Sequence, residues 1–180
     1  MASTTTRLTI DDFERLPDEE ACGHELVDGE LVDVSGNNPK HNRIRAYLME
    51  MLRPIVRKQK LGGVLDEQEF DFGGNAHGPD VSFFGPDKLA LLDDDKRVQR
   101  FVPDFAVEIA SPNNTLKSLV HKKDRYRRCG TAEVWLISPE DRSVFIYSGD
   151  RKVILSGNDE LSTPLIPGFS ITVEDLFNQA

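Results

Sequence analysis

Between residues 44 and 55 the apolar side chains Ile44, Tyr47, Leu48, Met51, Leu52 and Ile55 recur three and four positions apart. That is the spacing of one face of an α-helix. Asn38-Pro39 supplies an N-cap and a favoured first helical residue, so the helix starts there. It is expected to bend or end near Pro54, and Gly62-Gly63 closes the unit. A second long helix is predicted over 116–129, with Leu116, Leu119, Val120 and Tyr126 on its apolar side and Gly130 at its C-terminal cap. Thr9 caps a short helix at Ile10-Asp11-Asp12-Phe13, and another short helix covers 173–177 after the Pro167-Gly168 turn. Strands are predicted at 64–72, 79–84, 104–110, 133–138, 143–148 and 152–155, with 139–142 as a turn. Residues 25–32 read as a hairpin, because Asp28-Gly29 suits a type I′ turn. Strand, helix and strand over 104–138 make one crossover unit. The pattern is that of a mixed α/β chain forming one domain over 1–180, with no repeat, low-complexity tract or long linker.

Composition narrows the class. The 180 residues are 38% hydrophobic and include 10 Phe, enough for a folded core. The net charge of −9 excludes a uniformly basic nucleic-acid coat protein. The charge is segregated, however. Residues 11–33 hold ten acids and one base, 39–60 seven bases and one acid, and 113–130 six bases and one acid. An acidic body therefore carries two basic helices. The first six residues lack the apolar core of a signal peptide, and no run nears the roughly 18 apolar residues of a membrane span. Cys22 and Cys129 stand far apart in no metal-binding spacing. A reduced, soluble, cytoplasmic protein is expected.

The candidate chemistry begins with Glu108, a carboxylate inside the apolar run Phe105-Ala106-Val107-Glu108-Ile109. Such a group is costly to bury unless it is paired or binds a metal. Asp80 follows Gly78-Pro79 at a strand start. Two carboxylates at neighbouring strand ends suit Mg²⁺, which takes oxygen ligands and retains waters. The plain alternatives are a salt bridge from Glu108 to Lys122, Lys123 or Arg125, and ordinary turn chemistry at Asp80. His41 lies in the first turn of the first long helix, toward its buried side, as a helix-start histidine or as a ligand or phosphate contact. Glu25 opens a hairpin strand and reads as solvated. His77, three residues before Asp80, is discounted because Gly73-Gly74-Asn75 suggests a mobile turn. The second basic helix is either a solvated charged face or a phosphate-facing stripe with one lysine turned inward. Helical phase slightly prefers Lys123 over Lys122 as that lysine.

Several stretches, taken in order, resemble the Uma-two family of putative restriction endonucleases, part of the PD-(D/E)XK nuclease superfamily. They are His24-Glu25-Leu26-Val27-Asp28-Gly29-Glu30-Leu31, His41, Gly78-Pro79-Asp80-Val81-Ser82 and Val102-Pro103-Asp104-Phe105-Ala106-Val107-Glu108-Ile109-Ala110-Ser111-Pro112. Lys122 with Tyr126 and Gly130, then Glu133-Val134-Trp135-Leu136-Ile137-Ser138-Pro139, then Pro167-Gly168-Phe169 complete the series. The resemblance implies a restriction-endonuclease-like fold, a central mixed β-sheet flanked by helices. It implies Asp80 as the motif aspartate, Glu108 as the second acid, and Glu25 and His41 as further site members. The superfamily's E-x-K spacing would put lysine at 110, where Ala110 stands. In the family resembled, the lysine lies four before the tyrosine, which selects Lys122 and leaves Lys123 as second choice.

The activity implied is metal-dependent endonucleolytic hydrolysis of phosphodiester bonds. Mg²⁺, or Mn²⁺ in its place, would be held by Asp80, Glu108 and Glu25, and Lys122 would assist the attacking water. The partner implied is nucleic acid, DNA ahead of RNA, through Arg and Lys of 39–60 and 113–130, with a homodimer addressing both strands and no membrane involved. One alternative is a catalytically inactive nuclease-like module that binds nucleic acid or protein. A small-molecule enzyme using the same carboxylates is another, although no glycine-rich phosphate loop is present.

Overall fold

The computed structural model describes residues 7–111 and 116–179. In chain order its elements are α1 (Ile10–Glu14), α2 (Asp18–Ala21), β1 (His24–Val27), β2 (Glu30–Asp33), α3 (Pro39–Gln59), β3 (Gly63–Leu65), β4 (Glu69–Asp71), β5 (Ala76–His77), β6 (Val81–Phe84) and α4 (Pro86–Leu89). They continue with β7 (Val98–Gln99), β8 (Phe105–Ile109), α5 (Leu116–Arg128), β9 (Glu133–Ser138), β10 (Ser143–Ser148), β11 (Arg151–Ser156), β12 (Glu160–Ser162), β13 (Ser170–Thr172) and α6 (Val173–Asn178).

Three sheets result. The central one has six strands in the order β11-β10-β9-β8-β6-β3. A second has the order β2-β1-β5-β4-β7, and β12 pairs with β13. Within the central sheet β8 and β9 run parallel, joined through α5, while the other pairings are antiparallel. A parallel pair needs a crossover, and α5 is that crossover. This is the mixed sheet with flanking helices expected of the fold.

Strand alternation sorts side chains between the two faces of the central sheet. On one face, Ile44, Leu48, Leu52 and Val56 of α3 pack against Val81, Phe105, Val107, Ile109 and Trp135. On the other, Leu119 and Tyr126 of α5 pack with Ala106, Val134 and Leu136, and with Phe70 and Phe72 of the second sheet's side. The two long helices therefore cover opposite faces, and every side chain of β8 is buried.

Local signals act as expected at several points. Asn38 caps α3 through its side chain with Pro39 at the first helical position, and Thr9 closes a capping box with Asp12. Asp28 and Gly29 adopt φ +52° and +83°, the left-handed pair that a type I′ turn needs.

Two expectations differ from the outcome. Pro54 does not end α3, which runs on to Gln59. Pro54 and Glu50 both lie on the exposed side, where water can take the carbonyl the proline leaves unbonded. The strand expected over 64–72 is two strands in two sheets, β3 against β6 and β4 against β5 and β7. The chain breaks between them at Glu67, whose φ of +52° is incompatible with extended backbone.

Candidate active site

Alternation along β8 turns Glu108 away from α3 and toward α5. Its carboxylate, 3% exposed, meets two side chains of α5 that lie one turn apart. Tyr126 Oη donates to Glu108 Oε1 at 2.6 Å. Lys122 Nζ lies 3.4 and 3.2 Å from the two Glu108 oxygens. The same ammonium reaches Glu25 Oε1 at 2.8 Å. Lys122 thus joins two buried carboxylates from β1 and β8, and it is this lysine that faces the acids. Lys123 instead lies over the Tyr147 ring at 4.5 Å and pairs with Asp124.

Asp80 sits one residue before β6. Where that strand's ladder to β8 stops, its Oδ2 accepts the N–H of Ile109 at 2.7 Å. Its Oδ1 accepts from His41 Nε2 at 3.0 Å. His41 is itself placed by the cap of α3, since Asn38 Oδ1 accepts its backbone N–H at 2.9 Å.

Glu25 is buried rather than solvated, and His77 belongs beside it. Glu25 Oε2 is 2.8 Å from His77 Nδ1, and Oε1 accepts the Gly78 N–H at 3.1 Å. Gly73 and Gly74 do make a turn, with positive φ at both, but His77 lies beyond it in β5 with its ring buried near Phe72 and Tyr126. Arg125, one turn from Lys122 and offered by the sequence as a partner for Glu108, instead meets His77, Asn75 and Asp28.

The charges interact strongly. Burial pushes the Glu108 carboxyl up, and the Asp80 and Glu25 charges add to this, so that it reaches about 7 despite Lys122 and Tyr126. Burial also pushes Glu25 up, but Lys122 and His77 outweigh it and bring this carboxyl to about 2. Burial lowers Lys122, yet the three acids override it and hold the ammonium above its usual range. Burial pulls His77 below its usual value against the pull of Glu25, and raises the Tyr126 phenol together with the Glu108 charge. Their surroundings therefore push the two carboxyls in opposite directions, Glu25 toward the ionised form and Glu108 toward the protonated form.

These groups line a cleft of about 760 Å³, which brings together all five expected site residues, Glu25, His41, Asp80, Glu108 and Lys122. The basic helices are less free than their composition suggests. On α5, Arg125 is engaged by Asp28, Asn75 and His77, and Arg127 by the carbonyls of Thr131, Ala132 and Gly149. On α3, Lys40 donates to the Pro139 carbonyl, and Arg45 and Arg53 pair with Glu67 and Asp66. Arg43, Arg57, Lys58 and Lys60 of the α3 segment and Arg128 of α5 are exposed, with no ion pair among the described residues. Among the described residues no helix is long and apolar enough to cross a membrane.

Residues 10–174 match the Uma2 family, described as "Putative restriction endonuclease". The fold matches the crystal structure of a putative nuclease belonging to DUF820 from Anabaena variabilis ATCC 29413. The TM-score is 0.85 over 96% of this chain and 98% of that one, at 22% sequence identity. At that identity the likeness speaks for the fold. No curated protein matches the chain.

Proposed function

The chain belongs to the Uma2 family of restriction-endonuclease-like proteins, and on that premise we propose that it is a Mg²⁺-dependent endonuclease that hydrolyses phosphodiester bonds in DNA. The observation that carries this reading is the convergence of Glu25, Asp80, Glu108 and Lys122 on one cleft.

Among the described residues no three His, Cys, Asp or Glu side chains already form a metal-coordinating cluster, and Lys122 stands between Glu25 and Glu108. The donor set still suits Mg²⁺, a hard cation that needs only one or two carboxylates because it keeps several waters. The upward push on Glu108 from burial and from Asp80 and Glu25 is a crowding of negative charge that a divalent cation would relieve. Asp80 and Glu108, with Glu25, are the residues that would hold it. Bound there, the ion would supply Lewis-acid polarisation of the phosphate and a water of lowered pKa. Mn²⁺ would serve in its place.

The chain's own groups do the positioning. His41 and the Ile109 N–H fix both oxygens of Asp80. Tyr126 fixes Glu108. Lys122 has three N–H donors, so it can hold the carboxylates and also direct a water or stabilise charge developing on the phosphate. Exposed Arg43 and its neighbours on α3 would take flanking phosphates, which sets position without reading sequence. A homodimer would address both strands, and the free thiols of Cys22 and Cys129 accord with a reducing cytoplasm.

The rival reading is an inactive nuclease-like module that binds nucleic acid or protein. It draws on Lys122 as well, because an ammonium between two carboxylates is a complete ion-paired group without a metal. Plasmid cleavage with and without Mg²⁺ separates the two, run on wild type, Asp80→Ala and Glu108→Gln. Metal-dependent nicking that both substitutions abolish supports the nuclease. Cleavage retained in both variants, or absent from wild type at every metal concentration, overturns the proposed site.

A further inference from the structure

His77 and Arg125 both line the cleft, and the proposed chemistry gives neither a task. Arg125 has only donors, so where its Nη1 lies 3.2 Å from His77 Nε2 the ring nitrogen must accept. A neutral imidazole then carries its one N–H at Nδ1, aimed at Glu25 Oε2 2.8 Å away. The ring cannot easily turn, being 2% exposed and in contact with Phe72 and Tyr126. Arg125 is just as constrained. Its other contacts are Asn75 Oδ1 at 2.6 Å and the two Asp28 oxygens at 3.0 and 3.1 Å. Asn75 Oδ1 also accepts the Asp28 N–H at 2.7 Å, which ties the turn of the β1–β2 hairpin to that of β4–β5.

We propose that His77 and Arg125 are positioning residues for the nuclease reaction: Arg125 fixes His77 with its proton on Nδ1, and His77 holds Glu25 Oε2 so that Oε1 stays turned toward Lys122 and the cleft. The proposal rests on the reading of Glu25 as part of the metal-holding set. A histidine that only fills space beside the stacked Phe72 and Tyr126 rings has no need of both nitrogens being matched to partners of opposite kind. Outer partners of this sort orient a ligand carboxylate, and their loss typically weakens metal binding by about 10- to 100-fold.

The test is Mn²⁺ titration calorimetry on the full chain, with urea unfolding in parallel. His77→Phe keeps a ring against Phe72 and Tyr126 and removes both nitrogens. His77→Gln restores an N–H donor and an acceptor. Arg125→Met removes the clamp from a partly exposed position and decides the matter if His77→Phe does not fold. The expected result is Mn²⁺ binding weaker by about 10- to 100-fold in His77→Phe and Arg125→Met, with most of the loss recovered in His77→Gln. A purely structural role would lower the urea midpoint and leave the Mn²⁺ affinity of the folded protein unchanged. Binding lost in Asp80→Ala but intact in folded His77→Phe and Arg125→Met overturns the positioning role alone, as does a His77→Gln no better than His77→Phe. Absence of Mn²⁺ binding in wild type, or binding that survives Asp80→Ala, overturns the metal site itself.

Discussion

Replacing Lys122 with methionine keeps most of the side chain's bulk and removes the ammonium that touches Glu25 at 2.8 Å and Glu108 at 3.2 Å. Each carboxylate is 3% exposed, so neither can turn to water instead. Lys122 and His77 bring Glu25 from 4.5 to about 2 against the cost of burial. At roughly 1.4 kcal/mol per pKa unit, that depression corresponds to about 3 kcal/mol of stability, with Lys122 the larger contributor. Breaking a buried ion pair from one side generally costs roughly 3–5 kcal/mol, so the two routes agree. Protonation sets a ceiling on the loss. Burial and the Asp80 and Glu25 charges already push Glu108 up, and loss of the ammonium pushes it further toward the protonated form.

The sign with pH follows from the two acids. The folded-state pKa of Glu25 is depressed, so its contribution is present above 4.5 and is lost as pH falls toward about 2. The folded-state pKa of Glu108 is raised, so its contribution is complete below 4.5 and is lost as pH rises through about 7. Removing Lys122 raises both groups. The deficit of Lys122→Met is therefore greatest above neutrality and narrows on acidification. Urea unfolding of wild type and variant in EDTA, from about pH 5 to about pH 8, measures it. A deficit below about 1 kcal/mol at the alkaline end, the size of a surface ion pair, would refute the reasoning. So would a deficit that does not change with pH.

Tyr126→Phe should cost about 1.5–3 kcal/mol by urea unfolding, because it deletes a 2.6 Å hydrogen bond to a buried carboxylate while keeping the ring stacked on Phe72. Carbon NMR of the metal-free variant should show Glu108 titrating higher than in wild type, since Tyr126 lowers it; an unchanged titration would contradict the assignment. Gly62→Ala should destabilise by about 2 kcal/mol or more, because Gly62 has φ +136° and an added methyl would collide with the Phe84 carbonyl; a neutral midpoint shift would refute this. Arg43→Gln should weaken duplex binding without regard to sequence and reduce the slope of log affinity against log salt by about 1, whereas Arg125→Met, whose guanidinium is already engaged, should leave that slope unchanged.

Much of the fold was legible because its signals are local. The 3.6-residue spacing of α3, the Asn38-Pro39 start and the Asp28-Gly29 turn depend on neighbours within a few residues, and each appears where expected. Glu108 stood out for a similar reason, as a charge inside an apolar strand. The break at Glu67 and the continuation of α3 through Pro54 were not legible. The first depends on which sheet claims each half of the segment, and the second on which side of α3 meets water.

The site divides along the same line. Sequence alone sets the residue types, and its family likeness named Glu25, His41, Asp80, Glu108 and Lys122 as the candidates. Only tertiary structure decided which oxygen meets which donor. Lys122 finds Glu25 across 97 residues, His77 finds Glu25 across 52, and Arg125 finds Asp28 across 97. Helical phase favoured Lys123 because it weighs only the apolar face of α5. Once α5 lies across β8, the volume beside Tyr126 and Glu108 faces the cleft, and the buried acids draw Lys122 into it because unpaired carboxylates there would be costly. His77 was hidden for a like reason. Its environment is built from β1, β4 and α5, and no spacing within one element records that they meet.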